Sequence, residues 1–301
     1  MLFRLWQCPR CSTIRAVDGV DYQDIYADYP LQKRELDVFA RNTFRNLLRR
    51  LRQVGLRSSD TILDYGCGNG LFVRYLQAQG YAHVTGYDPY DPAYCQQPSE
   101  SQRYDCVFSN DVIEHCDDPR GFIRACAARV RPGGLLYLGT SEPNGIQMAD
   151  LTPHLMRLHL PYHRTIFTQE TLHALVACPE LELVRSWRRS YMDTWLPFGN
   201  YRFLDEVNKA LDHNLDRCFN PSETRWLWLR PRLWFYGLFG YWFPSAYEPA
   251  VALRKQGTAQ APARSWNTSP VSSATDDLCG HGPSTHPDAR NRVEVQGAID
   301  D

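Results

Sequence analysis

Between Thr61 and Gly80 the chain runs a strand-like stretch, Thr61-Ile-Leu-Asp-Tyr65, into Gly66-Cys67-Gly68-Asn69-Gly70. A helix-like stretch from Leu71 to Gln79 follows, closed by Gly80 in the manner of a C-terminal cap. Alternate glycines at a strand-to-helix junction supply backbone conformations closed to other residues, and they let a ligand approach the main chain with no Cβ in the way. The helix beyond them offers unpaired N–H groups at its start. His83-Val-Thr-Gly-Tyr87 reads as a second strand, ending at Asp88-Pro89. Strand, glycine turn, helix and strand make a βαβ unit, and such units build the parallel sheets of α/β folds.

Spacing decides what the turn holds. A dinucleotide fingerprint G-x-G-x-x-G starting at Gly66 needs a third glycine at position 71, where Leu71 stands. The pattern is instead D-x-G-x-G-x-G, from Asp64 through Gly66 and Gly68 to Gly70. A carboxylate at Asp64 suits a ligand ammonium, or a water bound to one, better than a pyrophosphate. Asp88, at the end of the second strand, is placed to take both hydroxyls of a ribose.

Two further blocks extend the unit. Tyr104-Asp-Cys-Val-Phe-Ser-Asn-Asp-Val-Ile-Glu-His115 is a strand running into a polar elbow, and Arg131-Pro-Gly-Gly134 turns into the strand Leu135–Gly139. Pro119 to Val130, between them, carries Phe122, Ile123, Cys126 and Val130 at helical spacing. With ILDYGCGNG, GYDP, YDCVFSNDVIEHCDDP and RPGGLLYLGT in this order, the chain resembles the class I S-adenosylmethionine-dependent methyltransferases, strongly from Asp60 to Thr140 and more loosely to Lys255.

The resemblance implies a Rossmann-like, seven-stranded mixed sheet with helices on both faces. Its last strand would be Tyr247–Lys255, beside Leu181–Ser186. The resemblance also implies a cofactor lying across Asp64, Gly66, Cys67, Gly68, Gly70, Asp88, Pro89, Asn110 and Asp111. One departure stands out: after Asp88 the chain is short where such enzymes often have a helix, a third strand and an acidic residue for the adenine. Asp91, Cys95 and Glu100 are the available substitutes, and the sequence does not choose among them.

For acceptor chemistry two histidines are candidates. His115 follows the third strand at the mouth of the site, where a structural role competes with a catalytic one. His163 lies in Pro161-Tyr-His-Arg-Thr-Ile-Phe-Thr168, a loop where the resembling enzymes often carry a histidine near the acceptor. Either could take a proton from an oxygen acceptor near neutral pH. Asp111, Glu114, His115 and His163 together would also make an oxygen and nitrogen set for Mg²⁺ or a softer ion, an arrangement resembling metal-dependent O-methyltransferases of RNA ends or quinone precursors. The metal is the less favoured reading, because the same string is common without one. Cys8-Pro-Arg-Cys11 resembles half of a zinc knuckle, and with no second pair it is expected to be a remnant.

The organisation expected is an N-terminal segment over 1–30, a methyltransferase domain over 31–255 and a disordered tail over 256–301, poor in apolar residues. Leu36, Phe39, Ala40, Phe44, Leu47, Leu48, Leu51 and Val54 mark an opening helix whose arginines, Arg41, Arg45, Arg49 and Arg52, lie on another face. A net charge of −1 offers no general pull toward nucleic acid, so that stripe reads as a solvated face. Ten scattered cysteines, with no leader-like start, point to a reducing, cytoplasmic setting. A helical, aromatic-rich insertion over 196–245 precedes the last strand. Its apolar run Leu233–Phe243 is far short of the roughly 20 residues of a spanning helix, which leaves a lid over the acceptor pocket or a peripheral membrane contact through 226–243.

The function expected is methyl transfer to a small-molecule hydroxyl of a sugar, lipid-linked, polyketide or quinone-type compound. The alternative is a fold that keeps the cofactor and has lost transfer; the intact glycine turn does not separate the two.

Overall fold

A computed structural model describes residues 2–27, 35–143, 145–211, 225–243, 248–257 and 292–296. The central element is a six-stranded sheet made of β3 (Ile62–Tyr65), β4 (Val84–Tyr87), β5 (Tyr104–Asn110), β6 (Val130–Gly139), β8 (Leu181–Trp187) and β9 (Ala250–Lys255). Their order is β4-β3-β5-β6-β9-β8, parallel except at β9, which runs antiparallel to both neighbours. Alternate side chains point to opposite faces of such a sheet. Leu63, Val107, Leu136 and Leu138 therefore pack against α4 (Pro119–Arg129) and α6 (Gln169–Val176), while Ile62, Cys106, Phe108 and Tyr137 meet α2 (Val38–Gln53) and α3 (Leu71–Ala78). Burial on both faces explains the nearly unbroken apolar runs of β5 and β6.

The seven strands expected become six. The missing one belongs between β4 and β5, where Asp88 to Arg103 forms only turns. Pro89, Pro92 and Pro98 interrupt that stretch, and proline cannot donate to a strand ladder. The final pairing of β8 with β9 is as expected, with β9 starting at Ala250. In α2 the side chain of Asp37 caps the first turn by accepting from Ala40 N at 2.7 Å. Arg41, Arg45, Arg49 and Arg52 of that helix are exposed.

A second, four-stranded sheet has the order β10-β1-β2-β7, from β1 (Leu2–Gln7), β2 (Ile14–Ala16), β7 (Thr165–Ile166) and β10 (Arg292–Gln296). Phe3, Leu5, Ile14 and Ala16 share a core with Leu158, Leu160 and Ile166. The N-terminal segment is thus built into the wall that carries the His163 loop. The expectation of a disordered tail is corrected over 292–296, which are a strand; residues 258–291 lie outside the described residues. Between β8 and β9 come α7 (Tyr201–Ala210) and α8 (Pro231–Phe239), which supply the helical insertion. Leu215 and the side chain of Trp226, counted with it in the sequence, lie outside what is described.

Candidate functional site

The turn after β3 places Gly66, Gly68 and Gly70 at φ of 88°, 53° and 75°, the left-handed region that favours glycine. Gly66 N and Cys67 N both donate to Tyr87 O at the end of β4, at 2.7 and 3.1 Å, which ties the two strand ends together. A Cβ on Gly66 would lie 2.4 Å from Val112 Cγ2. Gly66→Ala is therefore expected to cost about 2–4 kcal/mol of stability, from left-handed strain and overpacking combined. Thermal melting tests this, and a wild-type midpoint would contradict the tight junction.

Asp88 organises the turn. Its Oδ2 accepts from Gly68 N at 2.9 Å and its Oδ1 from Tyr90 N at 2.9 Å. Burial raises its pKa despite those bonds. Asp64 is buried beneath the glycines, and burial together with the charge of Asp88 pushes its carboxyl up to about 8. Such a group gains when a cation approaches it.

A cavity of about 390 Å³ opens at the carboxyl ends of β3, β4 and β5. Gly66, Gly68, Asp88, Pro89 and Asp111 line it, with Tyr65, Tyr87, Val112 and Phe122. This is where open α/β sheets take ligands. Asp111 sits at φ 56°, and its Oδ2 accepts from Tyr191 Oη at 2.6 Å; burial raises its pKa. Asn110 stands against Gly139 at the end of β6, where an added Cβ would lie 2.0 Å from Asn110 Oδ1. Cys67 and Gly70 shape the turn from behind the cavity, Gly70 under the ring of Tyr94. Asp91, Cys95 and Glu100 are not brought to the cavity; Tyr90 lines it on that side. A larger hollow of about 490 Å³, lined mainly by apolar groups of α6, β8 and β9, lies away from the glycine turn.

The other wall is aromatic, and the sequence did not single it out. Helix α1 (Tyr22–Ala27) brings Tyr22 and Tyr26 to the cavity. Tyr26 stacks on Tyr90 with ring centres 4.4 Å apart and planes 10° apart. Tyr22 Oη donates to His115 O at 3.0 Å, and Tyr26 Oη lies 2.8 Å from His115 Nδ1. Tyr29, grouped with them by sequence, lies outside the described residues. The signal available was the tyrosine spacing of one helical turn.

His115 lines the cavity, and His163 packs edge-on behind it at 4.9 Å between ring centres. His159 completes the group at 5.0 Å from His163. Burial pulls His115 down to about 3 and His159 to about 4, and it holds His163 well below the ordinary imidazole range. All three are neutral imidazoles at pH 7. Glu114 is fully buried beside them: its Oε1 accepts from Ser141 at 3.3 Å, while Oε2 has no hydrogen-bond partner among the described residues. Donor atoms of Glu114, His115 and His163 all lie within 4.8 Å of one another. Asp111, expected in the same set, does not belong to this group. Neither do Cys8 and Cys11, which flank the hairpin turn between β1 and β2 and form no disulfide.

The comparisons agree with the geometry. Residues 39–186 match the family described as a methyltransferase domain. The curated relatives include the ubiquinone biosynthesis O-methyltransferase of Serratia proteamaculans, 34% identical over 116 residues, 31% of this chain and 48% of the relative. That of Yersinia pestis is 33% identical over 105 residues, 28% of this chain and 43% of the relative. The matched stretch thus spans about half the length of these relatives or less. Solved structures with a likeness include coclaurine N-methyltransferase bound to N-methylheliamine and S-adenosylhomocysteine, at 16% identity and a TM-score of 0.46, covering 71% of this chain and 72% of that one. The plantazolicin methyltransferase BpumL is another, at 15% and 0.45, covering 78% and 88%. Residues 39–186 thus make up a methyltransferase domain.

Proposed function

We propose that the protein transfers a methyl group from S-adenosylmethionine to an oxygen of a small aromatic, quinone-type acceptor. The observation that carries this reading is the meeting, in one cavity, of the glycine turn and Asp88 with the tyrosine wall and His115. The name borne by the curated relatives points to the same acceptor class. The donor fits the residues present: Gly68 leaves the main chain open beside the cavity, Asp88 supplies a carboxylate at the end of β4 for a ribose, and Asp64 is a buried acid in want of a cation.

S-adenosylmethionine supplies a methyl group that is already electrophilic, so the chain's own task is alignment and exclusion of water. Alignment of this kind supplies roughly 7–11 kcal/mol of a barrier. Tyr26 and Tyr90 present stacked faces to a planar acceptor, and the neutral His115 ring orients an attacking hydroxyl by accepting a hydrogen bond from it, its proton passing on to solvent. Incubation with labelled donor and a series of catechols and alkylated phenols tests the proposal. Transfer to sugars alone, with phenols inert, would sink it.

A second reading rests on the Glu114, His115 and His163 group. His163 Nδ1 lies 3.1 Å from Arg157 O, a carbonyl that only accepts, so Nδ1 carries the hydrogen and Nε2 keeps its lone pair. A neutral imidazole anchored this way, beside a carboxylate oxygen lacking a donor, is the chemistry of a divalent-ion ligand set. An ion there would lower the pKa of an acceptor hydroxyl. Chelation decides between the readings: full activity in excess chelator leaves the metal-free one.

Cofactor binding is also expected to move a proton. The Asp64 carboxyl, raised to about 8 in the free protein, is mostly protonated at neutral pH. A cationic ammonium beside it favours the carboxylate, so binding releases up to about one proton per cofactor. Calorimetry with S-adenosylhomocysteine in buffers of different ionisation enthalpy measures this. Heats that do not change with buffer would place the ammonium elsewhere.

A further inference from the structure

Helix α8 is amphipathic in the wrong sense for a free-standing soluble protein. Its inward side is Leu233, Gly237 and, one turn further, Gly240, all buried. The two glycines allow very close approach. A Cβ on Gly237 would lie 2.2 Å from the Phe198 ring, and one on Gly240 would lie 2.0 Å from Asn200 Oδ1. Phe198 N donates to Gly237 O at 2.8 Å, and Asn200 Nδ2 donates to Tyr236 O at 2.8 Å. These contacts fix the rotation of the helix about its axis. The apolar side chains on its other face are therefore held outward.

That outward face is large and aromatic. Trp234, Phe235, Leu238, Phe239 and Trp242 are each between 45% and 69% exposed, and Leu229, just ahead of the helix, is 84% exposed. They form one continuous surface, with Phe235 to Phe239 at 5.6 Å and Phe239 to Trp242 at 6.2 Å between ring centres. Contiguous exposed apolar area of this kind marks an interaction site rather than ordinary surface scatter.

Charge selects the occupant. From Arg225 to Phe243 the chain holds three arginines and no carboxylate. Arg230 and Arg232 stand exposed at the start of the helix, and Arg232 pairs with Glu206 of α7 at 2.7 Å. A second copy docked face to face would set arginine segments against each other, with Glu206 already engaged by Arg232 in each copy. A bilayer with anionic headgroups satisfies both halves of the patch: acyl chains take the aromatic face, tryptophans sit at the headgroup level, and arginines meet phosphate. Among the described residues no helix is long and apolar enough to cross a membrane, so the contact is interfacial.

We propose that the outward face of α8 docks this protein on an anionic lipid surface. The patch is joined to the site by a short segment: Asn200 clamps α8 at one end, and at the other Tyr191 donates to Asp111 in the cavity wall. Docking thus sets the cavity beside the bilayer, from which a lipid-soluble acceptor can enter. The contact itself does not depend on methyl transfer.

Flotation of the full chain with vesicles tests it. The wild type is expected to float with phosphatidylcholine mixed with phosphatidylglycerol, weakly with phosphatidylcholine alone, and less as salt is raised. The double variant Leu238→Ser/Trp242→Ser, checked for an unchanged melting profile, is expected to bind at least about tenfold more weakly, since the two apolar side chains together contribute more than the 1.4 kcal/mol of one decade. Should that variant fail to fold, quenching of wild-type tryptophan fluorescence by brominated lipid reads the same contact. A wild type that stays at the bottom of the gradient with both vesicle types, or shows no quenching, overturns the proposal. So does a patch that proves to bury itself in a concentration-dependent dimer, seen by sedimentation, which the double variant dissolves.

Discussion

Replacing His115 by alanine is expected to lower kcat for methyl transfer to a phenolic acceptor about 10²–10⁴-fold, while S-adenosylhomocysteine still binds near its wild-type affinity. The imidazole lines the cavity between the tyrosine wall and the elbow after β5, and Tyr26 Oη, 2.8 Å from Nδ1, holds the ring in place. The effect holds whether the ring orients the acceptor hydroxyl by a hydrogen bond or ligates an ion, because both roles need the neutral form. Its pKa is lowered to about 3, so that form persists from neutral pH down through the ordinary imidazole range. The kcat profile is accordingly expected to show no limb near the usual imidazole value of ~6.5. His163→Ala separates the roles: as a co-ligand it shares the loss and the chelator sensitivity, and as a packing residue it does not. A His115→Ala enzyme with wild-type kcat would remove this residue from the chemistry altogether.

The second large effect is on the cofactor itself. Asp88→Ala is expected to weaken S-adenosylhomocysteine about 100-fold or more by calorimetric titration. The carboxylate accepts from Gly68 N and Tyr90 N, and hydrogen bonds to charged groups contribute about 1.5–3 kcal/mol each. Removing it loosens the glycine turn and, on the placement proposed above, also deletes the acceptor for the ribose hydroxyls. Asp88→Asn, which keeps one oxygen, is expected to fall between. Unchanged affinity in Asp88→Ala would mean that the ribose sits elsewhere, and the glycine turn alone would then have to hold the ligand.

What the sequence made legible was local. The βαβ unit from Thr61 to Asp88 reads directly because its glycines, apolar periods and strand-end acid fall within one short window. The same holds for the strand into Asn110 and for the aromatic insertion. The strand count failed because Asp88 to Arg103 is too short and too proline-rich to follow the family pattern, a departure visible in the sequence but without a visible outcome. The tyrosine wall went unread for a different reason. Tyr22, Tyr26, Tyr90, His115, His159 and His163 come from segments far apart in the chain, joined by contacts that no periodicity encodes. The outward set of α8 is a third case. A helix with a broad apolar girth reads as buried, and only the glycine contacts to Phe198 and Asn200 say which side faces out.

The pairing of β1 with β10 joins Leu2–Trp6 to Arg292–Gln296, the two most distant described segments of the chain. A strand made first therefore waits for its partner until residue 296 has left the ribosome, whereas every strand of the six-stranded sheet is available once Lys255 has emerged. Domains generally consolidate in the order of synthesis. Both halves of the cavity, the wall carrying the histidine loop included, can thus assemble on the nascent chain through β1, β2 and β7, and only the outer edge strand β10 is added last.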